Sequence, residues 1–160
     1  MADFLYYVIF ASALGAGMLA GVFFTFSAFV MTSLTRLPAE QSISAMQSIN
    51  STILRSLFML VFMGSTVLSV VLGIASFVKW GTPNAVYVLI GSLFIFFGMF
   101  LVTVIFNVPL NDSLAASNPG SAEGARVWKA YVARWVPWNH VRTISSIAAL
   151  ISFMMAIRKW

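Results

Sequence analysis

The sequence predicts an all-α fold: a four-transmembrane-helix bundle in up-down-up-down order, with short interfacial helices in loops one and three. The first observation is composition, because 61% of the residues are hydrophobic and only 8% are charged. Soluble globular domains contain about 45–50% and about 25% of such residues. The second is four long apolar segments, each near the roughly 20 helical residues that a bilayer core about 30 Å thick requires. We therefore expect residues 1–160 to form a single integral membrane domain in the lipid bilayer.

The charge and the cysteine content narrow the class of function. The net charge is +5, which in so apolar a chain indicates basic residues at membrane boundaries and not nucleic-acid binding. The chain has no cysteine, which excludes disulfides, thiolate metal sites and cysteine nucleophiles. A single histidine without cysteine is a poor metal site, so we predict no metal.

The first predicted span covers about residues 4–31 and is interpreted as a retained helix, since it lacks the basic start and cleavage site of a signal peptide. Its segment GAGMLAGVFFTFSAF places small side chains on one face at spacings of three or four: Ala13, Gly17, Gly21, Thr25 and Ala28. Such a face lets another helix approach closely. That helix belongs either to the same bundle or to a second copy, which would make a homo-oligomer through Gly17 and Gly21.

Spans two and three are predicted at about residues 53–78 and 85–106, joined by the tight turn KWGTPN. Loop one contains SAMQSIN, which is typical of a short amphipathic helix. Helix three is expected to end in NVPLND, because Pro109 lacks an amide hydrogen and its ring clashes with the preceding turn.

Span four is predicted at about residues 138–157, and Pro137 suits its start because proline is tolerated at the first helical position. The segment ARVWKAYVARW in loop three is predicted to be an interfacial helix. On a helical wheel, five polar residues of span four fall within about half of the circumference, although Ser145 lies on the apolar side and Leu150 on the polar side. The five are Asn139, His140, Arg142, Thr143 and Ser146. A membrane arginine is costly unless it is paired or reaches the interface, so this face is expected to look into the bundle.

Four crossings place loops one and three on one side, and the positive-inside rule favours the cytoplasm for that side. The unusual polar residues gather there: Gln47, Asn50, Asn107, Asn111, Asn139, His140 and Arg142. An apolar pocket with a few convergent polar groups is typical of a ligand site. We therefore predict a pocket for a hydrophobic aromatic or quinone-like molecule, with Thr25, Trp135 and Trp138 also in its lining.

Simpler interpretations stay open for each of these residues. Arg142 lies near the membrane boundary, where its guanidinium can snorkel to the headgroups. His140 can be an interfacial histidine in water, and the asparagines can be helix caps or turns. No nucleophile elbow or phosphate loop is present, and the spans lack the acidic residue that a proton-coupled transporter usually carries.

The segments GMLAGVFFTFSAFVM, AMQSIN, NVPLN and WNHVRT, in this order, resemble the anthrone oxygenase-like (DUF1772) family of small integral membrane proteins. The resemblance runs from about Gly15 to Ile151. It implies oxidation of an anthrone to an anthraquinone by dioxygen, with no cofactor, and a bacterial member is expected in the inner membrane. On the matching positions we place His140 as base and Arg142 with Asn139 or Asn107 at the oxyanion. The tryptophans and the helix-one phenylalanines would stack on the rings.

Two other classes of function remain at this stage. The same polar pocket suits a non-enzymatic module that binds a quinone or a lipid, or an accessory subunit of a membrane complex. A weaker alternative is a haem-binding membrane protein that uses His140 as a ligand.

Overall fold

The structure is a computed structural model that describes residues 2–159, and its long elements are helices. Helix α1 comprises Ala2–Thr25, the π-helical segment Phe26–Val30 and Met31–Thr35. Helix α2 is Ala39–Ile53 and helix α3 is Leu57–Val78. Helix α4 runs over Ala85–Ala115 and contains two π-helical segments, Phe94–Leu101 and Thr103–Asn107. Helix α5 is Ala122–Arg158.

Four of these helices, α1, α3, α4 and α5, are long and apolar enough to cross a membrane. Each has at least 22 residues in its candidate span, which at about 1.5 Å per residue exceeds a bilayer core of about 30 Å. The predicted all-helical class with four spans is therefore confirmed.

The four long helices pack around one apolar core. Helix α5 contacts α1 and α4, and α3 contacts the same two helices from the other side. The core includes Ile9, Leu19, Leu72, Met99 and Phe153, all fully buried. Close packing of α4 on α5 depends on Gly91, where an added Cβ would meet the Phe153 ring at 2.7 Å.

The two glycines of the small-residue face of α1 differ in their surroundings. A Cβ on Gly17 would lie 3.7 Å from Leu150 of α5, so this glycine packs within the chain. Gly21 is exposed and has no atom of the described residues within 4 Å of such a Cβ. A homo-oligomer through these glycines stays a prediction.

A second apolar cluster joins α2 to the neighbouring ends of α1, α4 and α5. Its buried members are Met31, Leu34, Ile43, Met46, Leu114, Trp128, Tyr131 and Trp135. The Gln47 amide fastens α2 to the end of α4, donating hydrogen bonds to the carbonyl oxygens of Leu114 (2.8 Å) and Ser117 (3.0 Å). The candidate site lies where this cluster meets the main core.

The predicted start of helix four is wrong. Helix α5 begins at Ala122, where Ser121 caps it by accepting a hydrogen bond from the Gly124 amide at 2.9 Å. It continues through Pro137 for 37 residues, about 55 Å. The segment predicted as a separate interfacial helix in loop three is therefore the first part of α5. Proline usually ends a helix because it removes one hydrogen bond, but α5 is packed on both sides of Pro137, in the second apolar cluster before it and in the main core after it.

The predicted end of helix three is also wrong, because α4 passes Pro109 and ends at Ala115. Just before the proline the backbone bonding is π-helical: the Val108 amide donates to the Thr103 carbonyl, five residues back. The wider turn gives the proline ring room that a regular α-helical turn lacks. Helix α3 begins slightly later than predicted, at Leu57, since the Ser56 hydroxyl caps it.

A candidate ligand cavity at the polar end of the bundle

A cavity of about 250 Å³ lies among α1, α2, α3, α4 and α5. Six aromatic side chains form much of its wall: Phe23, Phe26, Phe58, Phe62, Phe100 and Trp135. Methionine and aliphatic side chains form most of the remainder, and the polar lining consists of Asn50, Thr103, Asn111, Asn139 and Arg142. This is an apolar, aromatic pocket with a few polar groups, the usual composition of a small-molecule site.

The π-helical segments border this cavity. Phe26 begins the segment of α1, Phe100 lies in the first segment of α4, and Thr103 begins the second. A π turn carries an extra residue, which re-aims the side chains around it and is frequent at functional sites. These irregular turns thus place aromatic and hydroxyl groups that a regular helix would direct elsewhere.

Arg142 is the charged group of the site and is only 5% exposed. Its Nη2 donates a 2.8 Å hydrogen bond to Oδ1 of Asn139, and its Nη1 lies 3.4 Å from Oγ1 of Thr103. The guanidinium carbon also lies 4.5 Å from the ring centroid of Phe23 and 5.0 Å from that of Trp135. Arg142 therefore turns into the bundle and does not snorkel to the membrane surface.

Arg142 has no carboxylate partner among residues 4–159. The acidic side chains in that range, Glu40, Asp112 and Glu123, are all exposed, and Glu123 pairs with Arg126. The Nε atom of Arg142 also finds no hydrogen-bond acceptor within this range. A buried cation held by neutral groups alone is costly, so an anionic ligand atom in the cavity would be strongly attracted.

Asn139 holds Arg142 in place. It is fully buried, and its Nδ2 donates to the Phe23 carbonyl oxygen and to Oγ of Ser27, both at 2.8 Å. A carbonyl can only accept and a guanidinium can only donate, so the orientation of the Asn139 amide is fixed by its partners. Helix α1 thereby aligns the amide oxygen that binds Arg142.

His140 lies outside the cavity. Its side chain is exposed and its Nδ1 lies 2.9 Å from Oγ of Ser27, which in turn lies 3.1 Å from Oγ1 of Thr143. Ser27 therefore links the histidine to Asn139, and through Asn139 to Arg142. Direct contact of His140 with a cavity ligand would require a rearrangement of this chain, and its role as base stays a prediction.

Asn111 lies beside Trp135 and also lines the cavity. Its Oδ1 accepts hydrogen bonds from the Tyr131 hydroxyl at 2.9 Å and from the Trp135 indole nitrogen at 3.0 Å. Asn50, on α2, lines the same part of the wall. Helices α2, α4 and α5 thus each bring one predicted polar or aromatic residue to this end.

Half of the predicted site residues line the cavity: Asn50, Asn111, Trp135, Asn139 and Arg142. The other half do not: Thr25, Gln47, Asn107, Trp138 and His140. Gln47 holds α4, as described above, and Asn107 is fully buried with its Nδ2 3.4 Å from the Trp135 carbonyl oxygen. Thr25 donates to the carbonyl of Gly21 within its own helix, and Trp138 stacks on Phe106 with ring centroids 3.7 Å apart.

Three polar residues of the site were missed from the sequence: Ser27, Thr103 and Tyr131. Thr103 lies four residues before Asn107, on the same helical face, and that spacing could have indicated it. Ser27 lies off the small-residue face that singled out Thr25, and its position depends on the π turn. No sequence signal points to that turn.

A family model described as anthrone oxygenase matches residues 58–152. The matched segment runs from the first turn of α3 into the last part of α5 and includes Asn107, Asn111, Asn139, His140 and Arg142. No curated protein and no solved structure matches the chain.

Proposed function

The chain belongs to the anthrone oxygenase family, and from this premise we propose that it is a membrane oxygenase for anthrone-like or other polycyclic phenolic substrates, using dioxygen and no cofactor. The observation that carries the proposal is Arg142, a buried cation without a carboxylate partner among residues 4–159, at the polar end of an aromatic cavity. An aromatic molecule with one anionic oxygen matches both features of this cavity.

The reaction needs little from the protein beyond stabilising an anion. An anthrone that loses a proton from its central CH2 becomes an electron-rich aromatic oxyanion, which can reduce dioxygen. The CH2 carbon becomes a carbonyl, so the substrate gives up four electrons. One oxygen atom enters the new carbonyl and the other leaves as water, which balances the reaction without a further oxidant. The barrier that the enzyme must lower is then the formation of the oxyanion.

We assign this task to Arg142, positioned by Asn139. A donor that is fixed before the reaction stabilises the developing charge without reorganisation, and a dry pocket strengthens the effect. The rings of Phe23 and Trp135, which already flank the guanidinium, would hold the flat substrate beside it.

The substrate proton needs an acceptor, and among the described residues no histidine or carboxylate lines the cavity. His140 is the only histidine, but it reaches Arg142 only through Ser27 and Asn139. A base must lie within hydrogen-bond reach of the proton, directly or through one water. We therefore propose that a water at the cavity mouth relays the proton to bulk solvent, and that His140 acts by positioning Ser27 and Asn139.

We further propose the up-down-up-down order, with loops one and three on the cytoplasmic side of a bacterial inner membrane. Basic side chains collect at that end: Arg36, Arg55, Arg126, Lys129 and Arg134. Part of the cavity rim, Leu54, Met63 and Val108, is exposed on the outer surface of the bundle. A substrate dissolved in the bilayer would enter between α3 and α4 at this rim.

The test is dioxygen consumption with unsubstituted anthrone by protein in lipid nanodiscs. We expect Arg142→Met to lose about 100-fold or more in kcat/KM, as when one oxyanion donor is removed. Arg134→Met is the matched control, since Arg134 is an exposed arginine of the same helix, and it should stay within about twofold.

Three other outcomes would change the proposal in different ways. Wild-type rates equal to those of empty nanodiscs, together with tight anthraquinone binding, would replace the oxygenase with a non-enzymatic quinone-binding module. Equal activity in Arg142→Met and wild type would remove Arg142 from the chemistry. A Soret band in the purified protein would support the haem alternative.

A further inference from the structure

The two hydrogen bonds to Asn111 fix which of its atoms is available to a ligand. The indole nitrogen of Trp135 can only donate, so the Asn111 atom 3.0 Å from it must be the amide oxygen. The Tyr131 hydroxyl donates to the same oxygen at 2.9 Å. Both lone pairs of Oδ1 are therefore occupied by side chains of α5.

The reverse orientation of this amide is disfavoured. Tyr131 is 2% exposed and Trp135 is 4% exposed, so their donors have little access to water. Turning Asn111 over would place its NH2 group against the Trp135 N–H and leave that buried donor unpaired. The Asn111 Nδ2 makes no hydrogen bond within residues 4–159, and Asn111 lines the cavity. The group that Asn111 can offer to a ligand is therefore its hydrogen-bond donor, Nδ2.

Asn111 and Arg142 meet the same indole from different sides. Asn111 lies at the N–H edge of Trp135, whereas the guanidinium carbon of Arg142 lies 5.0 Å from its ring centroid. Arginine has donors only. The two groups together therefore present donors, and no acceptor, to a ligand that lies along Trp135.

We infer that Asn111 determines specificity by donating a hydrogen bond to a second oxygen of the ligand, an ether, carbonyl or ionised phenol oxygen, while the first, anionic oxygen binds Arg142. The inference rests on the part of the proposed function that identifies a polycyclic phenolic ligand. It does not require that the protein oxidises this ligand. Ligands with a hydrogen-bond acceptor at the second position are favoured over ligands of equal size without one, because a donor left unpaired in an apolar pocket is penalised.

The test measures equilibrium binding to the full chain in nanodiscs without dioxygen, so that no ligand is consumed. The probes are anthrones that each carry one methoxy group at a different ring position, and their ethyl counterparts, which have similar size but no acceptor. In the wild type, at one position at least, the methoxy compound should bind about tenfold more tightly than its ethyl counterpart.

Two variants isolate the Asn111 donor. Asn111→Leu removes it, and Asn111→Asp removes it while keeping oxygen acceptors for Tyr131 and Trp135. In both, the methoxy and ethyl compounds should bind within about twofold of each other. Asn118→Leu, at an exposed loop position, is the control and should keep the wild-type preference.

The inference is overturned if no ring position shows the preference in the wild type, or if either Asn111 variant retains it. These results are separate from those that bear on the oxygenase. Arg142-dependent dioxygen uptake without a methoxy preference would keep the proposed function and remove the inference. A methoxy preference without dioxygen uptake would keep the role of Asn111 and remove the oxygenase.

Discussion

At the scale of single residues, the site depends on how a buried arginine is held. A chain of hydrogen bonds leads from Arg142 in the cavity through Asn139 to Ser27 of α1. His140 lies at the far end of this chain, with its Nδ1 beside the Ser27 hydroxyl. The helical wheel of the sequence correctly put Asn139 and Arg142 on an inward face. It could not separate His140 from them, because a wheel gives directions around one helix and not the position of the neighbouring helix.

Ser27→Ala tests this chain. It removes the hydroxyl that accepts from Asn139, so we expect the amide to lose part of its alignment and kcat/KM to fall about tenfold. Dioxygen uptake with anthrone measures the effect, and Ser33→Ala, at an exposed position of the same helix, is the control. A loss no greater than that of the control would show that Ser27 does not position the site.

His140→Ala distinguishes positioning from direct catalysis. Since His140 reaches Arg142 only through Ser27 and Asn139, we expect a loss in kcat/KM of about tenfold, similar to that of Ser27→Ala. The double variant should be little worse than Ser27→Ala alone, because that change already removes the hydroxyl through which His140 acts. A loss of 100-fold or more in His140→Ala alone would mean that the histidine takes the substrate proton itself.

At the scale of helices, the sequence predicted the four spans because apolar length is a strong signal. It failed at two prolines. The sequence predicts a helix end at Pro109 and a helix start at Pro137, but both prolines lie inside continuous helices. The π turns were not predictable either, since they arise from an extra residue in the turn and not from any particular side chain.

Gln47 provides a prediction about α2. The sequence predicts it as a ligand contact, but its amide donates to the carbonyl oxygens of Leu114, in the last turn of α4, and Ser117, just beyond it. Gln47→Leu should therefore destabilise the protein by about 1–3 kcal/mol, from two lost hydrogen bonds, and change kcat by less than about threefold. Thermal unfolding in detergent and dioxygen uptake give the two values, with exposed Gln41→Leu as control. Unchanged stability with a large loss of activity would return Gln47 to the ligand site.

Helix α3 provides a test of the route into the cavity. Met63 lines the cavity and is 44% exposed, whereas Val67, one turn later, is 58% exposed and does not line it. A bulky Met63→Trp change should raise KM for anthrone supplied in the bilayer about tenfold and leave kcat nearly unchanged. Val67→Trp should affect neither constant. Equal effects of the two variants would indicate another route.

At the scale of the whole molecule, the cavity lies where two apolar clusters meet, between the four long helices and the group around α2. The sequence indicated this end through the convergence of seven polar residues, of which Asn50, Asn111, Asn139 and Arg142 line the cavity. It did not indicate Phe58 and Phe62 of α3, which also line the cavity. A phenylalanine in a membrane span can face either lipid or a pocket, and the sequence looks the same in both cases. Only the packing of the helices separates the two cases.

In the proposed function, Arg142 stabilises a substrate oxyanion inside this cavity. The most direct measurement is the absorption spectrum of anthrone bound to the protein without dioxygen, as a function of pH. Stabilising the anion lowers the pKa of the bound anthrone, so the anthrolate band should appear at lower pH with wild type and Arg134→Met than in empty nanodiscs. It should return to the pH of empty nanodiscs with Arg142→Met. Anthrone that binds to the wild type but ionises at the same pH as in empty nanodiscs would contradict the account.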